Sequence, residues 1–104
     1  MISKLKIFGF IYTIKTEFDR GNVDGLAGQC NAIKTEITIS TAMNSKPHQK
    51  SVLIHEIIEA INYHLELKLD HTAITGLETG LYQVIVDNPE LLEYLKSEKD
   101  SLET

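Results

Sequence analysis

The chain has 104 residues, 42% of them hydrophobic and 24% charged, with two prolines and six glycines, which suits one globular domain over residues 1–104 and excludes a disordered polar chain. The net charge of −5, with only ten scattered Lys and Arg residues, argues against a broad phosphate-binding surface, so no nucleic-acid partner is expected. The single cysteine, Cys30, excludes an internal disulfide and a thiolate metal cluster, and no apolar run approaches the length of a membrane span.

A reducing cytoplasm is the simplest home for one free thiol. The opening "MISKLKIFGFIY" has early lysines, but it lacks a cleavage site of small residues and its apolar residues are interrupted, so it reads as strand rather than signal peptide. Leu5, Ile7, Phe10, Tyr12 and Ile14 alternate with period two, and Gly9 predicts a bend or bulge between two short strands. "FDRGNVDGLAG" predicts a loop. A second strand pair follows around the turn "NAIKT", with Ile37 and Ile39 on one face of Glu36–Ser40 and Glu36, Thr38 and Ser40 on the other.

The second half reads as helices. Asn44 or Ser45 can cap the first, with Pro47 in its opening turn and an end near Leu65. Asp70 is the expected N-cap of a second helix ending near Val86. Asn88, followed by Pro89 at the first helical position, starts a third. About 96–104 is expected to be a frayed polar tail. The fold class is therefore α+β: a small antiparallel β-sheet, two main helices and a short C-terminal helix on one face.

At about 100° per residue, Leu53, Ile54, Ile57, Ile58, Ala60, Ile61 and Leu65 form a broad apolar arc on the first helix. His48, Ser51, His55, Glu59, Asn62 and Glu66 share the opposite stripe, with Glu56 at its edge. The core of this helix is His-Glu-x-x-Glu, where zinc peptidases carry His-Glu-x-x-His. Residues 55 and 59 lie one turn apart and can converge on one cation, and a carboxylate is an ordinary zinc ligand. The same spacing also fits a solvent-facing ion pair worth a few tenths of a kcal/mol. His64 lies nearly opposite His55 and reads as a packing or capping residue. His48 is two turns from His55, too far to share its ion. Cys30 reads as a small apolar packing residue.

The order of elements, with "LIHEIIEAI", the "GQC…ITI" strands and "GLYQVIVDNP", resembles small phage- and prophage-encoded minimal zincin-like (metallopeptidase-like) proteins over roughly Lys4 to Leu92. The resemblance implies a cytoplasmic protein of a bacterial host and a zinc cofactor. His55 falls at the first ligand position, Glu56 at the general base, and Glu59 where the family has histidine. The third ligand is expected from the second helix. Glu78 completes the glutamate-type set, and His71 is the alternative. Tyr82 is the expected substrate contact, or a half-buried packing residue. Two carboxylate ligands would largely neutralise the ion and lower its Lewis acidity. The implied function is a zinc-dependent metallopeptidase, weakened or lost through Glu59, with Glu36–Ser40 offering an edge to an extended substrate. The alternative is a catalytically inactive zincin-fold module that binds a protein or peptide of the phage or its host.

Overall fold

The computed structural model describes residues 2–18, 27–42 and 45–97. The elements are β1 (Lys4–Ile7), β2 (Phe10–Glu17), β3 (Gly28–Asn31), β4 (Glu36–Ser40), α1 (Lys46–Leu65), α2 (His71–Asp87) and α3 (Glu90–Lys96). The chain is thus α+β, with a four-stranded sheet followed by three helices. The expected loop around 19–26, the Asn44 cap and most of the frayed tail lie outside the described residues.

Strand order is β1-β2-β4-β3, and this corrects two expectations. The sheet is mixed rather than antiparallel, because β2 and β4 run parallel, Ile14 opposite Ile37. Period-two alternation is the same for parallel and antiparallel neighbours, so the pattern could not separate them. In addition, β4 lies between β2 and β3 and has no free edge for a substrate; the free edges belong to β1 and β3.

The predicted alternation places its side chains as expected. Ile7, Tyr12, Ile14, Ile37 and Ile39 are buried together with Val52 and Ala60 of α1, and Leu53, Ile57 and Ile61 pack against this core. Each such aliphatic side chain contributes roughly 1.5–3 kcal/mol through burial, and β4 is covered on both faces, Thr38 and Ser40 being buried as well. The β1–β2 turn is Phe8–Gly9, but the left-handed residue is Phe8 (φ 56°), not glycine. Its ring lies edge-on to His64 at the far end of α1. His64 is indeed a packing residue: it stacks on Phe10 with centroids 4.3 Å apart, and its Nε2 lies 2.6 Å from the buried Tyr12 hydroxyl.

Local signals set the helix ends. The Ser45 side chain accepts from the His48 N–H at 3.3 Å, and Pro47 occupies the first turn of α1. Glu66 ends α1 in the left-handed conformation (φ 52°). Asn62 then ties down the link, its Oδ1 accepting from the Leu69 N–H at 2.9 Å. Asp70 caps α2 through the Ala73 N–H at 2.8 Å. Together these bonds turn the chain back so that α2 packs along the polar stripe of α1. The third helix begins one residue later than expected, with Pro89 as its N-cap, because the Asn88 side chain donates backward to the Val84 carbonyl of α2. On α2 only Ile74 is fully buried, and Leu77, Leu81 and Val84 are exposed, because α1 covers that helix from one side.

Candidate metal centre

A cleft opens between the β3 edge, the polar stripe of α1 and the start of α2. His55 is held from behind. Its Nδ1 lies 2.9 Å from Glu78 Oε1 on α2, while the other Glu78 oxygen accepts from the Ser51 hydroxyl. A carboxylate only accepts, so Nδ1 carries the proton and Nε2 keeps its lone pair for the cleft. On that side Nε2 lies 3.5 Å from Glu59 Oε2. The His71 ring, at the first residue of α2, is 5.3 Å from that of His55.

Donor atoms of His55, Glu59 and His71 all fall within 4.8 Å of one another, the spacing of a group able to hold a metal ion. The first two come from one helical face, as the i,i+4 spacing predicts. The third is His71, the second choice from sequence. Glu78, the first choice, reaches the site one layer further out, as the carboxylate that orients His55. Second-layer carboxylates of this kind fix the tautomer of a ligating histidine and raise its basicity. The candidate donor set is therefore two histidines and one glutamate, with the glutamate and one histidine exchanged between positions. It carries one anionic ligand rather than two, so a bound dication keeps more of its Lewis acidity than a His/Glu/Glu set would leave it.

Glu56 has a different environment. The helical wheel puts it at the edge of the polar stripe, yet it is 6% exposed, the one buried charged group among the described residues. It accepts no hydrogen bond and forms no ion pair among the described residues, and it faces the cleft. Burial pushes its carboxyl up to about 7; His55 opposes the shift, and the charges of Glu59 and Glu78 add to it. The neighbouring strand makes room for it. A Cβ on Gly28 would sit 2.6 Å from Val52 Cγ1, 3.0 Å from the Thr38 carbonyl oxygen and 3.1 Å from Glu56 Oε2. Only glycine lets β3 run this close beneath α1.

The β3 edge itself is open. The Ser40 N–H donates to the Ala27 carbonyl at 2.8 Å, and Gly28 pairs with Ile39. By antiparallel alternation, Gln29 and Asn31 point their backbone groups toward β4, while Gly28 and Cys30 direct theirs out of the sheet beside the cleft. The Cys30 thiol faces the same space. Burial, then Glu56 and Glu59, push it up to about 12, which keeps it protonated and unreactive in this state.

Of the two readings of Tyr82, the half-buried residue is the one found on α2, and it does not line the cleft. The tyrosine that does is Tyr63, one turn beyond Glu59 on α1, and that spacing was the signal available in the sequence. His48 lines the cleft but stands outside the three-donor group.

Comparison with protein-family models, with curated proteins and with solved structures finds no match to this chain. The fold and site by themselves define an α+β protein with a candidate His/Glu/His metal-binding group. No helix among the described residues is long and apolar enough to cross a membrane.

Proposed function

We propose that the chain is a zincin-like metal-dependent hydrolase acting on extended peptide, with His55, Glu59 and His71 as ligands and Glu56 as general base. The observation that carries this reading is Glu56: a buried carboxylate without a partner, aimed into the cleft beside a histidine already oriented for a metal. Leaving such a group unsatisfied costs stability, and functional sites are where proteins keep such groups. Two histidines and a glutamate are a donor set used by zinc hydrolases, so zinc is the expected ion.

A dication held there supplies Lewis acidity toward a scissile carbonyl. The chain's own residues do the rest. Glu56, buried beside the donor group and without a partner, would take a proton from the attacking water and return it to the leaving amine nitrogen. Glu78 and Ser51 hold the His55 ring in place. The outward backbone groups of Gly28 and Cys30 can pair with an extended peptide, laying it along the cleft. A peptide or protein of a phage or its bacterial host, met in the cytoplasm, is the substrate class that the resemblance suggests.

Zinc titration against a competing chelator, on protein purified without a histidine tag, tests the assignment. One ion per chain is expected. His55→Ala and His71→Ala should abolish tight binding, whereas Glu78→Gln should weaken it about 10–100-fold without changing stoichiometry. Wild-type affinity in His71→Ala would overturn the ligand set, and loss of stoichiometry in Glu78→Gln would make that carboxylate a direct ligand. Zinc-loaded wild type that cleaves no member of a peptide library would leave the second reading, a metal-stabilised binding module in which Glu59 has replaced the usual ligand without retaining turnover.

A further inference from the structure

The two long helices are anchored very differently. α1 packs on β1, β3 and β4, whereas α2 packs on α1 and makes at most marginal contact with the sheet. Ile74 is the one residue of α2 that is fully buried. The 17 residues of this helix also favour helix only weakly. They include Gly76 and Gly80 in the interior, Thr72, Thr75 and Thr79, and the β-branched Val84, Ile85 and Val86. Glycine is the least favourable interior residue after proline, and β-branched side chains lose rotamer freedom in a helix. Such a helix depends on what it packs against more than on its own backbone bonds.

Beyond Ile74 and the half-buried Ala73, Tyr82 and Ile85, what ties α2 to α1 is polar. Glu78 Oε1 accepts from His55 Nδ1 at 2.9 Å, and its other oxygen accepts from the Ser51 hydroxyl. The candidate metal group crosses the same seam. His55 and Glu59 stand on α1 and His71 opens α2, with donor atoms within 4.8 Å of one another, so an ion held by all three joins the helices. The cleft along the seam is lined by Glu56, Glu59 and Glu78 and, among the described residues, by no Lys or Arg. Docking α2 brings the Glu78 carboxylate toward the two carboxyls on α1, and a dication supplies the charge that offsets them.

We infer, resting on the proposed metal site, that the ion is a clasp whose binding is coupled to the docking of α2 on α1. His71, Thr75 and Glu78 of α2 form one wall of the cleft, so that wall is held firmly in place only in the metal-loaded chain. Metal supply then regulates whether a substrate cleft exists, and not only whether it contains a Lewis acid. The sheet, with the part of α1 packed on it, forms the more stable unit, and α2 opens as a unit of lower stability. An ion that binds the docked form and not the open one multiplies the docked-to-open ratio by one plus its concentration over its dissociation constant.

Amide hydrogen exchange of the full chain, followed by mass spectrometry in chelator and in zinc beside a zinc titration, tests the coupling. In chelator, amides in the middle of α2 should exchange about tenfold or more faster, relative to their intrinsic rates, than those of β2 and β4. Zinc at about 100 times its dissociation constant should slow them about 100-fold. Gly76→Ala/Gly80→Ala, whose added methyl groups meet nothing within 4 Å, should slow the metal-free exchange of α2 about fivefold per alanine and leave one zinc per chain. An α2 as well protected as the sheet in chelator overturns the inference and leaves the metal site intact. So does one zinc bound per chain with the exchange of α2 unchanged. A chain that binds no zinc overturns both.

Discussion

Replacing Glu56 with glutamine is expected to stabilise the metal-free fold at neutral pH. The Glu56 carboxyl is raised from 4.5 to about 7, chiefly by burial. Between those values the folded chain holds a proton that the unfolded chain has released, so wild-type stability falls as pH rises through the window. At ~1.4 kcal/mol per pKa unit, the loss levels off at roughly 3 kcal/mol above about pH 7. That is a large share of the ~5–15 kcal/mol typical of a domain. Glutamine does not titrate. Its own desolvation shifts the curve by a constant and leaves the slope unchanged. The variant-minus-wild-type difference in unfolding free energy should therefore grow by roughly 3 kcal/mol from about pH 4 to about pH 8. Urea denaturation followed by circular dichroism, with chelator present at each pH, measures it, and the subtraction cancels titrations common to both chains. A difference that stays flat across the range would refute the claim that folding buries this carboxylate without a partner.

Two further variants test the frame around the site. Gly28→Ala should destabilise the fold by about 1–3 kcal/mol, because the added methyl group meets Val52 and the Thr38 carbonyl oxygen at distances that force α1 and β3 apart. It should also reduce zinc affinity if the cleft opens with them, and unchanged stability by thermal melting would contradict the packing described. At the other end of α1, Tyr12→Phe should cost about 1 kcal/mol through the lost bond to His64. His64→Ala should cost more, about 2–4 kcal/mol, because it leaves the buried Tyr12 hydroxyl without a partner and removes the ring stacked on Phe10. Equal losses in chemical denaturation would mean that the hydroxyl finds another acceptor or donor.

Much of this molecule was legible in its residues taken one element at a time. Alternation in β1, β2 and β4 follows from the two-residue period of a strand, and the same isoleucines and tyrosine are buried in the structure. Ser45, Pro47 and Asp70 act within a turn of themselves, so the starts of α1 and α2 were readable as well. So was the convergence of His55 and Glu59, which depends only on helical pitch. Facts about which element lies beside which were not. The parallel pairing of β2 with β4, and hence the choice of β3 rather than β4 as the open edge, depends on long-range pairing that no local period encodes. His71 and Glu78 are both on α2, and which of them joins the His55/Glu59 donor group and which stands behind His55 depends on the Asn62 and Asp70 bonds at the turn between the helices. Glu56 is the clearest case. A wheel places it at the margin of a polar stripe, but only the close approach of Gly28 removes its water and makes an ordinary surface glutamate a buried, proton-holding group.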